Sequence, residues 1–309
     1  MPASVTKGTN SIEVFSDGRF DKPTVTLSSQ FEHRNAKSIK KGTPGEIIDT
    51  HFAGFDLCCL NPAVAPHESP FYLFAWSTAE VMTTKDDVGV VYAFDLNAQV
   101  KSQPKFMVQC PKGQEINTKF SPSGHAVLVW SQNYTDQTGK SYYGEHTLQY
   151  IQIFGGRDRS FVPCFDNTIH DICWLPNGEN FIVIAGVQPA IATMYDKNCT
   201  PLFEFGKRYR NTIRVCPFSQ IVMLGGFGNL KGEIDFWDLT KMTQINDHKP
   251  QTKSDCAVGI ELAPDGVHLL TSVLYERLKV DNMINLFTPS GKRLLGKGQE
   301  FSQLQYVAW

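Results

Sequence analysis

The chain has 309 residues, of which 41% are hydrophobic, 12% aromatic and 19% charged, with a formal net charge of -2 at pH 7. That is enough apolar material for a large core, and it excludes a chain disordered throughout. The near-neutral charge gives no bulk attraction to nucleic acid or anionic membrane, so any such contact must come from a local patch.

The opening, MPASVTKGTNSIEV, lacks the apolar centre of a secretory signal, and no stretch approaches the ~18 apolar residues of a membrane helix. A soluble, cytoplasmic chain without membrane contact is expected, monomeric and without cofactor or metal. Residues 1–10 read as a disordered lead-in and residues 11–309 as one partial domain. Cys58, Cys59, Cys110, Cys164, Cys173, Cys199, Cys216 and Cys256 are scattered and form no CxxC pair. They read as reduced, mostly buried thiols rather than zinc ligands.

In chain order, SIEVFSDGRF from Ser11 reads as the third strand of a unit whose first two are missing. Residues 28–50, with Arg34, Lys37, Lys40 and Lys41 against Glu32, read as an exposed insertion. Five four-strand units then follow. The first is FDLCCLNPA from Phe55, FYLFAW from Phe71, VVYAFDL from Val90 and PKFMVQC from Pro104. The second is INTKFSPSG from Ile116, HAVLVW from His125, HTLQYIQIF from His146 and SFVPCF from Ser160, with a polar loop at 135–145. The third is IHDICWLPNG from Ile169, FIVIA from Phe181, AIATMYD from Ala190 and PLFEF from Pro201. The fourth is IRVCPFSQ from Ile213, IVMLGG from Ile221, EIDFWDL from Glu233 and MTQI from Met242. The fifth is GIELAPDG from Gly259, VHLLTS from Val267, MINLFTPSG from Met283 and KRLL from Lys292. The closing LQYVAW from Leu304 reads as one more first strand.

The turn prolines Pro62, Pro122, Pro176, Pro217 and Pro264 mark a degenerate period near the ~40–45 residues of a WD-type blade, the longer intervals carrying insertions. The second strand of each unit is apolar at nearly every residue, as a strand sandwiched between neighbouring sheets must be. The third and fourth strands are expected to face outward and alternate, and helical periodicity is absent. The fold expected is therefore all-β: a WD40-like β-propeller of four-stranded antiparallel blades, about five of them complete, with partial strands at both ends.

Signals for chemistry are weak. GGFGNLKG at 225–232 lacks GxGxxG spacing and runs into a strand, so no helix N-terminus is present to hold a pyrophosphate. No GxSxG elbow occurs, and the histidines lack HxH or HExxH spacing. His170 and Asp171 form either an acid–base pair or, as favoured here, a structural tie between adjacent blades. Asp95, Asp196 and Asp238 end third strands and are expected to cap turns through backbone N–H groups. Trp76, Trp130, Trp174 and Trp237 read as core. No catalytic residue is assigned. The residues offered for contact are Lys207, Arg208 and Arg210 in GKRYRN, Lys231 in GNLKG, and Arg277 and Lys279 in YERLKVDN. They fall in loops of successive blades and form either a shared phosphate-binding rim or ordinary solvated charge.

SYYGEHTLQYI (141–151), PLFEFGKRYRNTIRVCPF (201–218), LGGFGNLKGEIDFWDL (224–239) and RLKVDNMINLF (277–287) carry a further signal. In these strings the chain resembles the eukaryotic translation initiation factor 2A family, collinearly from about residue 115 to the end and more loosely before it. The propeller-bearing component of initiation factor 3 is similar to a lesser degree in the loops. The resemblance implies a fragment of a longer propeller, lacking opening blades and a charged C-terminal tail. It also implies a non-catalytic translation factor that associates with the small ribosomal subunit and delivers initiator methionyl-tRNA, with mRNA and other initiation factors as further partners. The alternative is a protein–protein hub for other initiation factors without RNA contact.

Overall fold

The computed structural model describes residues 168–307 almost continuously, omitting 217, 219, 248–251 and 264. Before 168 it describes 4–7, 11–15, 25–28, 63–64, 72–77, 88–95, 106–111, 115–122, 126–133, 145–152 and 159–162. Among the described residues every regular element is a strand. No helix is long and apolar enough to cross a membrane. The chain divides into two compact units, Met1–Asn167 and Thr168–Trp309.

The first unit holds three antiparallel sheets. β1 (Ser4–Lys7), β2 (Ser11–Phe15) and β3 (Val25–Ser28) form a three-stranded sheet. Ser4–Lys7 therefore departs from the expected disordered lead-in, because it pairs along its length with β2, Ser4 opposite Phe15 and Lys7 opposite Ile12. β4 (Ala63–Val64), β5 (Tyr72–Ser77), β6 (Val88–Asp95) and β7 (Phe106–Pro111) form the next sheet. The expected strand from Phe55, the insertion at 28–50 and the loop at 135–144 lie outside the described residues. β8 (Glu115–Phe120), β9 (Ala126–Asn133), β10 (Glu145–Gln152) and β11 (Arg159–Val162) complete the unit.

The second unit is three four-stranded sheets, each a simple antiparallel meander. They are β12 (Ile169–Trp174), β13 (Phe181–Ala185), β14 (Ala190–Tyr195) and β15 (Pro201–Arg208); β16 (Thr212–Val215), β17 (Ile221–Gly225), β18 (Ile234–Asp238) and β19 (Thr243–Gln244); and β20 (Gly259–Leu262), β21 (Leu269–Val273), β22 (Asn282–Phe287) and β23 (Gln299–Phe301).

The pleat explains why second strands are apolar throughout. Successive side chains of a strand point to opposite faces, and β17 is covered on both. Val222 and Leu224 join Ile182, Ile184, Ala192, Met194 and Phe205 of the preceding sheet in one cluster. Met223, between them, joins Phe236, Ile260, Leu269 and Phe287 with the following sheet. Three of the sheets thus stack face to face through two apolar layers. The inner strands are also tied by polar contacts. Asp171 Oδ2 accepts the Ile213 N–H at 2.7 Å and lies 3.7 Å from Arg214 Nη1. Arg214 Nε in turn donates to the Ile260 carbonyl at 3.1 Å. Asp171 is thus the expected blade-to-blade tie, whereas His170 Nε2 stays within its own sheet, 2.8 Å from the Gly186 carbonyl oxygen.

Three expectations are corrected. The third strands do not face outward: β14 is buried everywhere except Ile191, because in a four-stranded meander the third strand is central and the edges are the first and fourth. KRLL is not the closing strand of its sheet. Arg293 makes a single bridge to Phe287, the chain turns at Gly296 and Gly298, and β23 pairs from Gln299 with the start of β22. LQYVAW is irregular over its described residues, and Leu304 is buried, its N–H donating to Asn282 Oδ1 and its carbonyl accepting the Tyr275 N–H.

Turn chemistry follows the sequence closely. Asp196 Oδ1 accepts the N–H groups of Asn198 and Thr200, both at 2.8 Å, and Asp238 Oδ1 accepts those of Thr240 and Lys241 at 2.8 and 3.1 Å. Burial works to raise the Asp196 carboxyl, but the Thr200 and Asn198 N–H groups outweigh it and leave the group below its ordinary value. The Lys241 N–H leads the same lowering at Asp238. Trp174 is buried against Phe181, and Trp237 packs edge-on to Phe203 and Phe205. Of the described cysteines, Cys110, Cys199 and Cys216 are buried, Cys173 is half-buried and Cys256 is exposed.

Candidate nucleic-acid interface

An antiparallel meander places its first and third turns at one end, and its second turn and its exit to the next sheet at the other. The second end of the Thr168–Trp309 unit, here the crossover end, therefore carries the β13–β14, β17–β18 and β21–β22 loops and the β15–β16 connection. All six basic residues singled out in the sequence fall on these segments or at the end of β15. Topology alone thus brings them to one end.

Side-chain geometry separates them. Arg210 is only 1% exposed. Its Nε and Nη2 donate to Asp235 Oδ2 at 3.1 and 2.6 Å, and its Nη1 donates to the carbonyls of Phe205 and Gly206 at 3.1 and 3.3 Å. Burial pulls its guanidinium below the ordinary arginine value while the Asp235 carboxylate works in the opposite direction. A desolvated guanidinium needs such a counter-charge. Arg210 is therefore withdrawn from the contact surface: every face of its fork is spent inside the protein.

Arg208 donates from Nη1 to the other oxygen of Asp235 at 2.9 Å, with its side chain 34% exposed, and Gln244 Nε2 donates to that same oxygen at 3.0 Å. Lys207, Lys231, Arg277 and Lys279 are exposed. Arg277 Nη2 donates to Asn229 Oδ1 at 2.5 Å, pinning the β21–β22 loop to the β17–β18 loop. Lys279 places its Nζ 4.2 Å from the centre of the Tyr275 ring, a cation–π contact.

The loops beneath these side chains are tightly fixed. Gln188 accepts the Arg210 backbone N–H at 3.2 Å and donates to the Arg210 carbonyl at 2.5 Å. Asn211 exchanges two 2.9 Å hydrogen bonds with the backbone of Phe227. Gly226 lies against Tyr209 so closely that a Cβ there would stand 2.1 Å from the Tyr209 carbonyl oxygen. GGFGNLKG is thus a tight loop between strands, as its spacing indicated, and its glycine admits the neighbouring connection.

Sequence reasoning missed Asp235 and Asn229. The signal for Asp235 was available: a carboxylate between Ile234 and Phe236, inside an apolar strand, calls for a buried counter-ion. Asn229 carried no signal, since its role depends on a loop of the next sheet. Among the described residues, no group of three or more His, Cys, Asp or Glu side chains is arranged to hold a metal ion.

The family described as eukaryotic translation initiation factor eIF2A matches residues 110–305. The chain is 38% identical over 196 residues to eukaryotic translation initiation factor 2A of Dictyostelium discoideum, covering 63% of this chain and 30% of the relative. It is 31% identical over 199 residues to the Schizosaccharomyces pombe protein of that name, covering 64% and 34%. It is 29% identical over 216 residues to a component of eukaryotic translation initiation factor 3 of Xenopus laevis, covering 64% and 30%. The matched region therefore spans about a third of the length of these curated relatives. A solved structure described as the crystal structure of the eukaryotic initiation factor superposes with a TM-score of 0.70 at 21% identity, over 98% of this chain and 64% of that one. This likeness, with the four-stranded antiparallel sheets, establishes the β-propeller fold.

Proposed function

From a chain that belongs to the eukaryotic translation initiation factor eIF2A family, we propose a non-catalytic scaffold module of translation initiation, working in the cytoplasm. The module associates with the small ribosomal subunit and supports delivery of initiator tRNA. The observation that carries the reading is the gathering of Lys207, Arg208, Lys231, Arg277 and Lys279 at one end of three stacked sheets, on loops braced against one another. Cations gathered on braced loops attract phosphate whatever the net charge of the chain. Buried Arg210 serves it only by holding the β15–β16 connection in place.

The test is co-sedimentation with purified small ribosomal subunits. The triple charge reversal Lys231→Glu, Arg277→Glu, Lys279→Glu is expected to abolish binding while leaving the fold intact, because all three side chains are exposed and only the surface contacts of Arg277 with Asn229 and of Lys279 with Tyr275 are lost. Unchanged binding would refute the surface. Arg210→Glu is unsuitable as a probe, since it would place a carboxylate against Asp235 in the core. The hub alternative would use the opposite end of the same sheets, where Phe218 is 79% exposed. Capture of initiation factors that survives nuclease treatment, together with undiminished co-sedimentation of the triple variant, would favour it.

A further inference from the structure

The crossover end presents more than charge. Val187 is 63% exposed, Tyr209 46% and Val280 62%, each on a different loop of that end. Single exposed apolar side chains are ordinary on protein surfaces, and the two valines need no explanation. Tyr209 differs in its setting. It lies between exposed Lys207 and half-buried Arg208 on one side and the anchored Arg210 on the other. Its backbone is immobilised from two directions: its carbonyl is pressed against Gly226, and the next residue is clamped by Gln188. Among the described residues no ring or cation stacks on it, whereas the face of Tyr275 is taken by Lys279. Arg208 spends one nitrogen on Asp235, which orients its plane and leaves the rest of the fork for an anion.

We propose that Tyr209 is a stacking platform for an unpaired nucleobase, with Lys207, Arg208, Lys231 and Arg277 taking the neighbouring phosphates, so that the crossover end binds single-stranded RNA in preference to duplex. This rests on the RNA-contact reading above and narrows it to one class of partner. A duplex hides its base faces within its own stack and offers this surface phosphates alone, so the tyrosine would add nothing to its binding. An unpaired strand offers both phosphates and flat rings, and base–aromatic stacking is indifferent to sequence. An acidic peptide would satisfy the cations but not the apolar side chains. Those stand one to a loop with charged residues between them and form no continuous groove for a helix.

The experiment is fluorescence anisotropy on the full 309-residue chain. The probes are a labelled mixed-sequence RNA of about 12 nucleotides, within the usual span of single-strand sites, and the same sequence as a blunt duplex. The single strand is expected to bind roughly tenfold more tightly than the duplex, the scale of one stacked base. Tyr209→Ala is expected to lose roughly that factor for the single strand and none for the duplex. Tyr209→Phe keeps the ring and should match the parent chain, which excludes a role for the hydroxyl. Because Tyr209 is exposed, both variants should melt as the parent does. Equal affinity for strand and duplex, or a Tyr209→Ala variant that binds like the parent, overturns the inference. If the Lys231→Glu, Arg277→Glu, Lys279→Glu variant still loses both RNAs in that case, the broader reading survives without it. If that variant binds both RNAs normally, the broader reading fails as well. Equal competition by polyglutamate for the Tyr209-dependent site overturns the inference in favour of an acidic protein partner.

Discussion

Arg210 and Asp235 show how one residue pair can look like a ligand site in sequence and act as a strut in three dimensions. KRYRN offers three cations within four positions, yet the structure spends one of them entirely inside the protein. Removing one partner of a buried ion pair loses up to about 3–5 kcal/mol, and here Asp235 would keep Arg208 and Gln244 while losing both Arg210 hydrogen bonds. Arg210→Ala is therefore expected to destabilise the chain by up to that amount in denaturant titrations, and a loss below ~1 kcal/mol would contradict the strut role. A second prediction concerns Asp265 at the β20–β21 turn. The side-chain hydrogen bond from His268 and the N–H groups of Val267 and His268 lower its carboxyl from 3.8 to about 2. A depressed acid stabilises the folded state at pH values above its unfolded value of 3.8, and that contribution is lost as pH falls from there toward 2. An NMR titration of the Asp265 carboxyl should show a midpoint near 2, and one near 3.8 would show that these hydrogen bonds do not hold the carboxylate in solution.

At the scale of the strand, burial divides sharply between central and edge positions. Phe236 on β18 is fully buried, whereas Leu202 on β15 is 49% exposed although both are large apolar side chains. Phe236→Ala is expected to lose about 3–5 kcal/mol of unfolding free energy through the cavity it leaves. Leu202→Ala should stay within about 0.5 kcal/mol of the parent. Comparable losses at the two sites would contradict the face-to-face stacking of these sheets. Much at this scale was legible in the sequence. FIVIA and IVMLGG are apolar at nearly every position because both faces are covered, and the Asp residues ending third strands declare their turns. What was not legible depended on partners far along the chain. AIATMYD alternates small, polar and large residues and so reads as half-exposed, but the sheet places β15 outside it and the next sheet over it. KRLL has the composition of a closing strand, yet the glycines after it let Gln299–Phe301 take that place.

For the whole molecule, the antiparallel meander decides which loops share an end, and that rule brings together five cations from three separate stretches of the sequence. Their gathering follows from strand order. Their number does not, since burial of Arg210 had to be seen in three dimensions. Charge at this end is the basis of the proposed attachment to ribosomal RNA, so the most direct measurement is the affinity of the chain for small ribosomal subunits across a potassium chloride series. The parent chain is expected to show a log–log slope of several units, reduced by about one for each of Lys231, Arg277 and Lys279 converted singly to alanine. A slope near zero, or one that none of the three substitutions changes, would contradict that attachment.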